Sequence, residues 1–313
     1  MAVGGLFDLQ VNGYAGIDFN AETITSAKMD HALGAMARAG VSHCLPTLIS
    51  ADSDRLMCRL RALDEAIEGA RCRAMVLGYH LEGPFLSAQE GYAGCHPPDA
   101  MCDPDSSLVE RLEQGLSRPV LLITLAPERE GSEAFIRSMT GQGKVVALGH
   151  TAANGTEIAR AAAAGARLST HLGNALRQMQ PKFDNPLMAQ LAEDRLWASV
   201  IADGIHVPPP AMKVMLRAKG LERSVLVTDA TSAAGAPAGL YEFAGMTIER
   251  DQEGAVQVPG AAVLAGSSLT LDQAVRNVVA WGFATEEQAV RMARENPRAV
   301  MQPALDAHGI SLE

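Results

Sequence analysis

Most of the residues that could do chemistry follow short apolar runs. Gln10 and Asn12 close the run Leu6–Val11, and His80 and Glu82 close Met75–Leu81. His150 follows Lys144–Leu148, and His171 follows Arg167–Thr170. Asp203 and His206 follow Ala198–Ala202, and Asp229 follows Ser224–Val227. A glutamate at the end of so apolar a run must be paired or bind a cation, because an isolated buried carboxylate is costly. One histidine alone would read as a hydrogen-bonded core residue. Several acids and histidines at equivalent ends of separate runs are hard to explain by packing. Glu82, His150 and His171 form a His₂Glu set, which leaves an open position and suits a catalytic Zn²⁺. Fe²⁺, Co²⁺ and Mn²⁺ accept the same donors. By strand alternation His80 shares a side with Glu82, as support for the site or as core.

These residues need a scaffold that brings the run ends together. Eight runs read as strands: the six just named, plus Cys44–Ile49 and Val120–Leu125. Helical segments lie between most of them, including Ser26–Ala39, Asp54–Gly69, Thr156–Ala164 and Pro209–Ala218. Ser26 and Thr156 are the expected N-caps, and Gly40 and Gly220 the expected stops. Strand–helix alternation implies a parallel sheet. Eight units over this length predict an α/β fold, a closed (β/α)₈ TIM barrel, with a doubly wound sheet as the rival. Barrel enzymes place their catalytic groups where these polar residues fall, at the C-terminal ends of the strands. Residues 1–313 read as a single domain with a loop and hairpin insertion at about 230–266 on that face. Two closing helices are expected near Ser268–Trp281 and Thr285–Arg294, and the chain stops soon after the Asn296-Pro297 helix.

Composition narrows the partners. The net charge of −10 argues against nucleic acid and anionic membrane surfaces but allows a small anionic substrate. The five cysteines form no CxxC pair, so reduced thiols and a cytoplasmic location are expected. No secretion signal opens the chain and no apolar run is long enough to span a bilayer.

Ten motifs in order, over nearly the whole chain, resemble the N-acetylglucosamine-6-phosphate deacetylases of the amidohydrolase superfamily. They are FDLQVNGYAGIDF (7–19), LPTLIS (45–50), HLEGPFL (80–86), LAPE (125–128), GHTAA (149–153), THLGNAL (170–176), DGIHV (203–207), VTDATSAAG (227–235), LAGSSLTLDQAVRN (264–277) and NP (296–297). The resemblance implies an amidohydrolase-type barrel that removes acetyl from an N-acetylated amino sugar phosphate, giving glucosamine-6-phosphate and acetate from N-acetylglucosamine-6-phosphate. It implies one divalent metal on Glu82, His150 and His171, Asp229 as general acid/base, and His206 polarising the substrate carbonyl. Gln10, Asn12, His96, Asn174 and Ala175 would contact substrate, with Arg177 and Lys182 offered for the phosphate. A homodimer is expected on the same ground.

Departures from the family pattern matter. Gln10-Val11-Asn12 stands where many amidohydrolases carry the His-x-His of a second metal, so one metal is expected. Ala93-Gly94-Cys95-His96 lacks the lysine of the usual substrate loop, and RQMQPKFDNP aligns no clear phosphate-binding arginine. The chain begins only a few residues before its first strand, so the small flanking β-sandwich of related enzymes is expected to be missing. Two other functions follow from these departures. One is deacetylation of an unphosphorylated N-acyl sugar or other small N-acyl compound. The other is a non-catalytic sugar-binding barrel, against which the retained metal set and Asp229 argue.

Overall fold

A computed structural model of the protein describes residues 5–261 and 263–312. Eight strands form one sheet in sequence order: β1 (Leu6–Val11), β2 (Val41–Ile49), β3 (Tyr79–Glu82), β4 (Val120–Leu125), β5 (Val145–Leu148), β6 (Leu168–Ser169), β7 (Trp197–Ile201) and β8 (Ser224–Val227). Every neighbouring pair is parallel. The first and last strands join through Asp229 N–H to the Gln10 carbonyl (2.9 Å) and Asn12 N–H to the Ala230 carbonyl (2.7 Å). The sheet is therefore a (β/α)₈ barrel, and the doubly wound alternative is excluded. Helices α1 (Ser26–Arg38), α2 (Ser53–Glu68), α3 (Ser106–Glu113), α4 (Ser132–Gly141), α5 (Gly155–Ala164), α6 (Pro186–Ala192) and α7 (Pro209–Lys219) each follow one strand. No helix among the described residues is long and apolar enough to cross a membrane.

Several boundaries differ from the sequence reading. The third strand starts at Tyr79 rather than Met75, because Arg73–Met75 turns as a 3₁₀ segment and only Val76 bridges β2. The N-cap of α1 is Thr25, not Ser26, and that of α5 is Asn154, not Thr156. Asn154 and Glu157 form a reciprocal capping box, which satisfies two end N–H groups that Thr156 could not. Within the insertion, β9 (Gly239–Phe243), β10 (Met246–Arg250) and β11 (Val256–Gln257) form a three-stranded antiparallel sheet. Three helices then follow, α8 (Leu271–Ala280), α9 (Glu286–Ala293) and α10 (Glu295–Ala307), the last carrying Pro297 in its first turn. All five cysteines are free.

Candidate active site

Glu82 ends β3, and His150 and His171 lie just past β5 and β6. Closure of the barrel brings their ligand atoms within 4.8 Å of one another. His171 Nε2 is 2.9 Å from Glu82 Oε1, His150 Nε2 is 3.4 Å from it, and the two Nε2 atoms are 3.2 Å apart. His150 Nδ1 lies 2.8 Å from the Tyr92 carbonyl oxygen, which can only accept, so Nδ1 carries the hydrogen and Nε2 keeps its lone pair. Two imidazole nitrogens and a carboxylate oxygen that converge in this way fit a divalent cation. Burial pushes the Glu82 carboxyl up, but the neighbouring imidazoles, His171 above all, hold it well below its ordinary value. Burial also pulls the His171 imidazole down, and Glu82 raises it to about 9.

Asp229 follows β8 and is held from β1. Gln10 Nε2 donates to both Glu82 Oε1 and Asp229 Oδ1 (3.1 Å each), and Asn12 Nδ2 donates to Asp229 Oδ1 (2.7 Å). Both amides use Oδ1, so Oδ2 is left to exchange a proton. Burial and the Glu82 charge push the Asp229 carboxyl up to about 6, against the opposing effects of His171, His206 and Asn12. His206 Nδ1 pairs with Asp203 Oδ2 (2.6 Å), whose Oδ1 accepts the backbone N–H groups of Ile205 and His206. Burial pushes Asp203 up, and these bonds outweigh it, leaving the carboxyl below its usual value. His206 Nε2 is thus the nitrogen free for a ligand.

A cavity of about 1100 Å³ opens over these groups. Asn12, Glu82, His96, His150, His171, Asn174, Ala175, Arg177, His206 and Asp229 all line it. His96 takes the Ser50 N–H at Nδ1 (3.3 Å), so its hydrogen is on Nε2, and burial pulls this imidazole down to about 3. It is a neutral donor. Arg177 is anchored by Nε to the Glu90 carbonyl (2.7 Å) and sits over the Tyr92 ring.

Two expected substrate contacts fall elsewhere. Gln10 is buried beneath the cavity, its amide spent on the two carboxylates. Lys182 lies off the cavity, exposed over the Phe183 ring, in the segment between the last lining residue, Met179, and α6. His80 is fully buried between Thr47 (3.1 Å) and Thr124 (2.8 Å), as part of the barrel interior rather than the cavity.

The sequence reading missed three features. His150, His171, Ala175 and Asp229 all have positive φ, between 28° and 50°, a conformation disfavoured for residues with a Cβ and typical of functional sites. Nothing in residue type signals this. Glu128, the last residue of the LAPE motif, accepts the Ala152 N–H (2.7 Å) and the Thr151 hydroxyl, so it fixes the loop after His150. Ile49 and Phe243 form an apolar part of the cavity wall with Cys95. Burial, with the charges of Asp229 and Glu82, pushes the Cys95 thiol up to about 12, so it is a neutral S–H and not a nucleophile.

The chain is similar to known enzymes along almost its whole length. It is 33% identical over 296 residues to an N-acetylgalactosamine-6-phosphate deacetylase of Escherichia coli O157:H7, covering 94% of this chain and 76% of that one. It is also 33% identical to an N-acetylglucosamine-6-phosphate deacetylase of Danio rerio, covering 95% of this chain and 74% of the relative. The chain belongs to the N-acetylglucosamine-6-phosphate deacetylase family. A solved structure of this family's enzyme from Mycobacterium smegmatis, in complex with N-acetyl-D-glucosamine-6-phosphate, superposes with a TM-score of 0.87 at 30% identity, covering 96% of this chain and 77% of that one. No family model matches the chain.

Proposed function

We propose that the protein hydrolyses the acetamide of N-acetylglucosamine-6-phosphate, giving glucosamine-6-phosphate and acetate. The observation that carries this is the convergence of Glu82, His150 and His171 beside Asp229 in an open cavity, on the barrel of this family. These three residues would hold one divalent cation, Zn²⁺ by its match to a His₂Glu set. When bound, that cation would polarise the amide carbonyl and bring the pKa of water down to about 7.

The chain's own groups would do the rest. Asp229 takes a proton from the attacking water at Oδ2 and passes it to the leaving amine. Gln10 and Asn12 fix the carboxylate so that this oxygen faces the reaction. His206, oriented by Asp203 through Nδ1, would present Nε2 to the substrate carbonyl. His96 would donate from Nε2, and Asn174 and the Ala175 backbone, which also line the cavity, would contact the sugar phosphate. A homodimer and a cytoplasmic location belong to the same proposal.

A specific observation favours a second reading. Among the described residues, Arg177 is the only lysine or arginine lining the cavity. An unphosphorylated N-acyl sugar would need no more than that. Acetate release should be measured with Zn²⁺-reconstituted protein on N-acetylglucosamine-6-phosphate, its galactosamine epimer and N-acetylglucosamine. Strong preference for N-acetylglucosamine-6-phosphate supports the proposal, with Arg177 as the anchor, whereas preference for the galactosamine epimer overturns the sugar it names. Preference for the free sugar overturns it in favour of the second reading.

A further inference from the structure

The proposed reaction places an amide carbon between the Glu82–His150–His171 set and Asp229. That carbon carries two substituents, the sugar nitrogen and the alkyl part of the acyl group. The cavity offers two kinds of wall for them. Asn174, Arg177 and Gln178 supply polar groups on one part, and Ile49, Cys95 and Phe243 an apolar surface on another. Ile49 stands beside Glu82 in the barrel register, at the neighbouring strand end. It packs with Phe243, and Cys95 packs against them, in a cluster distinct from the main barrel core. The loop from Gly91 to Cys95 links the two walls. A Cβ at Gly91 would come within 2.6 Å of Arg177 Cγ, whereas Cys95 joins the Phe243 cluster. Four residues of chain span at most about 14 Å, so the two walls lie within the reach of one small ligand.

Resting on the reading above, we propose that the wall of Ile49, Cys95 and Phe243 receives the alkyl chain of the acyl group and sets the longest chain the enzyme hydrolyses. A sugar phosphate gains nothing from this wall, while an alkyl chain gains by leaving water. Cys95 is small and neutral, so its side chain decides how much room the wall leaves. Phe243 comes from β9, so the inserted sheet would supply part of the specificity for chemistry carried by the barrel.

The test is kcat/KM for N-acetyl, N-propionyl and N-butyryl groups, each on glucosamine-6-phosphate and on glucosamine. Metal-reconstituted wild type, Cys95→Ala, Cys95→Leu and Phe243→Leu are compared. Cys95→Ala should raise the butyryl-to-acetyl ratio about tenfold and Cys95→Leu lower it about tenfold, the usual effect of one or two carbons in an apolar pocket. Phe243→Leu should move the ratio in the same direction as Cys95→Ala. Preference for the phosphate should not change. A ratio within about twofold of wild type in all three variants overturns the inference while leaving the deacetylase reading intact. Turnover of unphosphorylated sugars alone overturns the phosphate reading, and the ratio still decides the inference. No turnover of any compound by wild type overturns both.

Discussion

At the scale of single residues, the proposed reaction rests on a carboxylate, Asp229, that must stay available to a proton. Asp229→Asn keeps the shape and the amide contacts but removes the proton acceptor. It should lower kcat by about 10²–10⁴-fold, the usual contribution of a general acid/base, while metal content by atomic absorption stays near one per chain. Near wild-type turnover would sink the role. Gln10 carries a different load, because one amide joins a metal-set carboxylate to Asp229. Gln10→Ala should weaken metal binding about 10–100-fold, as loss of a partner to a ligand does, which a chelator competition would read. Asp8 tests burial rather than catalysis. Burial pushes its carboxyl up from 3.8 to about 7, against bonds from Thr228 and Gln10. The native state therefore binds more protons than the unfolded state between these values, and this group lowers stability as pH rises through that range. In Asp8→Asn the amide can still donate to the Thr228 hydroxyl, which then donates to the Gln10 carbonyl. The variant's stability relative to wild type should rise between pH 4 and pH 7.5, by an amount on the order of 4 kcal/mol at most. Urea midpoints at several pH values would show it, and a flat difference would refute it.

At the scale of elements, β3 carries Glu82, and the loops after β5 and β6 carry His150 and His171. Glu128, in the turn after β4, holds the loop after β5 through Thr151 and Ala152. That contact explains a motif with no reactive residue in the open cavity. The inserted sheet is held by two charged residues from outside it. Asp18 accepts the Ala244 N–H at 2.7 Å, and buried Arg59 in α2 donates to the Ala244 carbonyl at 2.9 Å. Hydrogen bonds to charged groups contribute roughly 1.5–3 kcal/mol, so Arg59→Ala should loosen β9 and β10 before the barrel. Hydrogen exchange should speed up about tenfold or more at 240–249 and stay unchanged in β4 and β5. Equal acceleration everywhere would mean that Arg59 supports the whole fold.

At the scale of the whole molecule, the three candidate ligand residues come from β3 and the segments after β5 and β6. A cation there would bind the folded chain and not the unfolded one, so it should stabilise the protein by about 2.7 kcal/mol at a hundredfold excess over Kd. Chelation should lower Tm by several degrees, and Zn²⁺ should restore it. A Tm indifferent to both would remove the metal from the proposal. The negative net charge fits a substrate drawn in by local contacts rather than by the field of the whole protein.

The sequence by itself determined the barrel, its strand order and the polar residues that gather at one end of it. Alternating apolar runs and helices carry the fold in local composition. Glu82, His150, His171 and Asp229 were legible because packing alone rarely sets charged residues at the ends of buried strands. Candidate phosphate contacts were less legible: the sequence offered both Arg177 and Lys182, and of the two only Arg177 lines the cavity. What tertiary structure alone decided was relation across the chain. Gln10 meets Asp229 from 219 positions away, and Phe243 in the inserted sheet packs with Ile49 in the barrel. Barrel closure and loop docking create those contacts, and they leave no period or spacing in the sequence. The left-handed backbone at His150, His171, Ala175 and Asp229 was equally invisible, because surrounding packing imposes it against the residues' own preference.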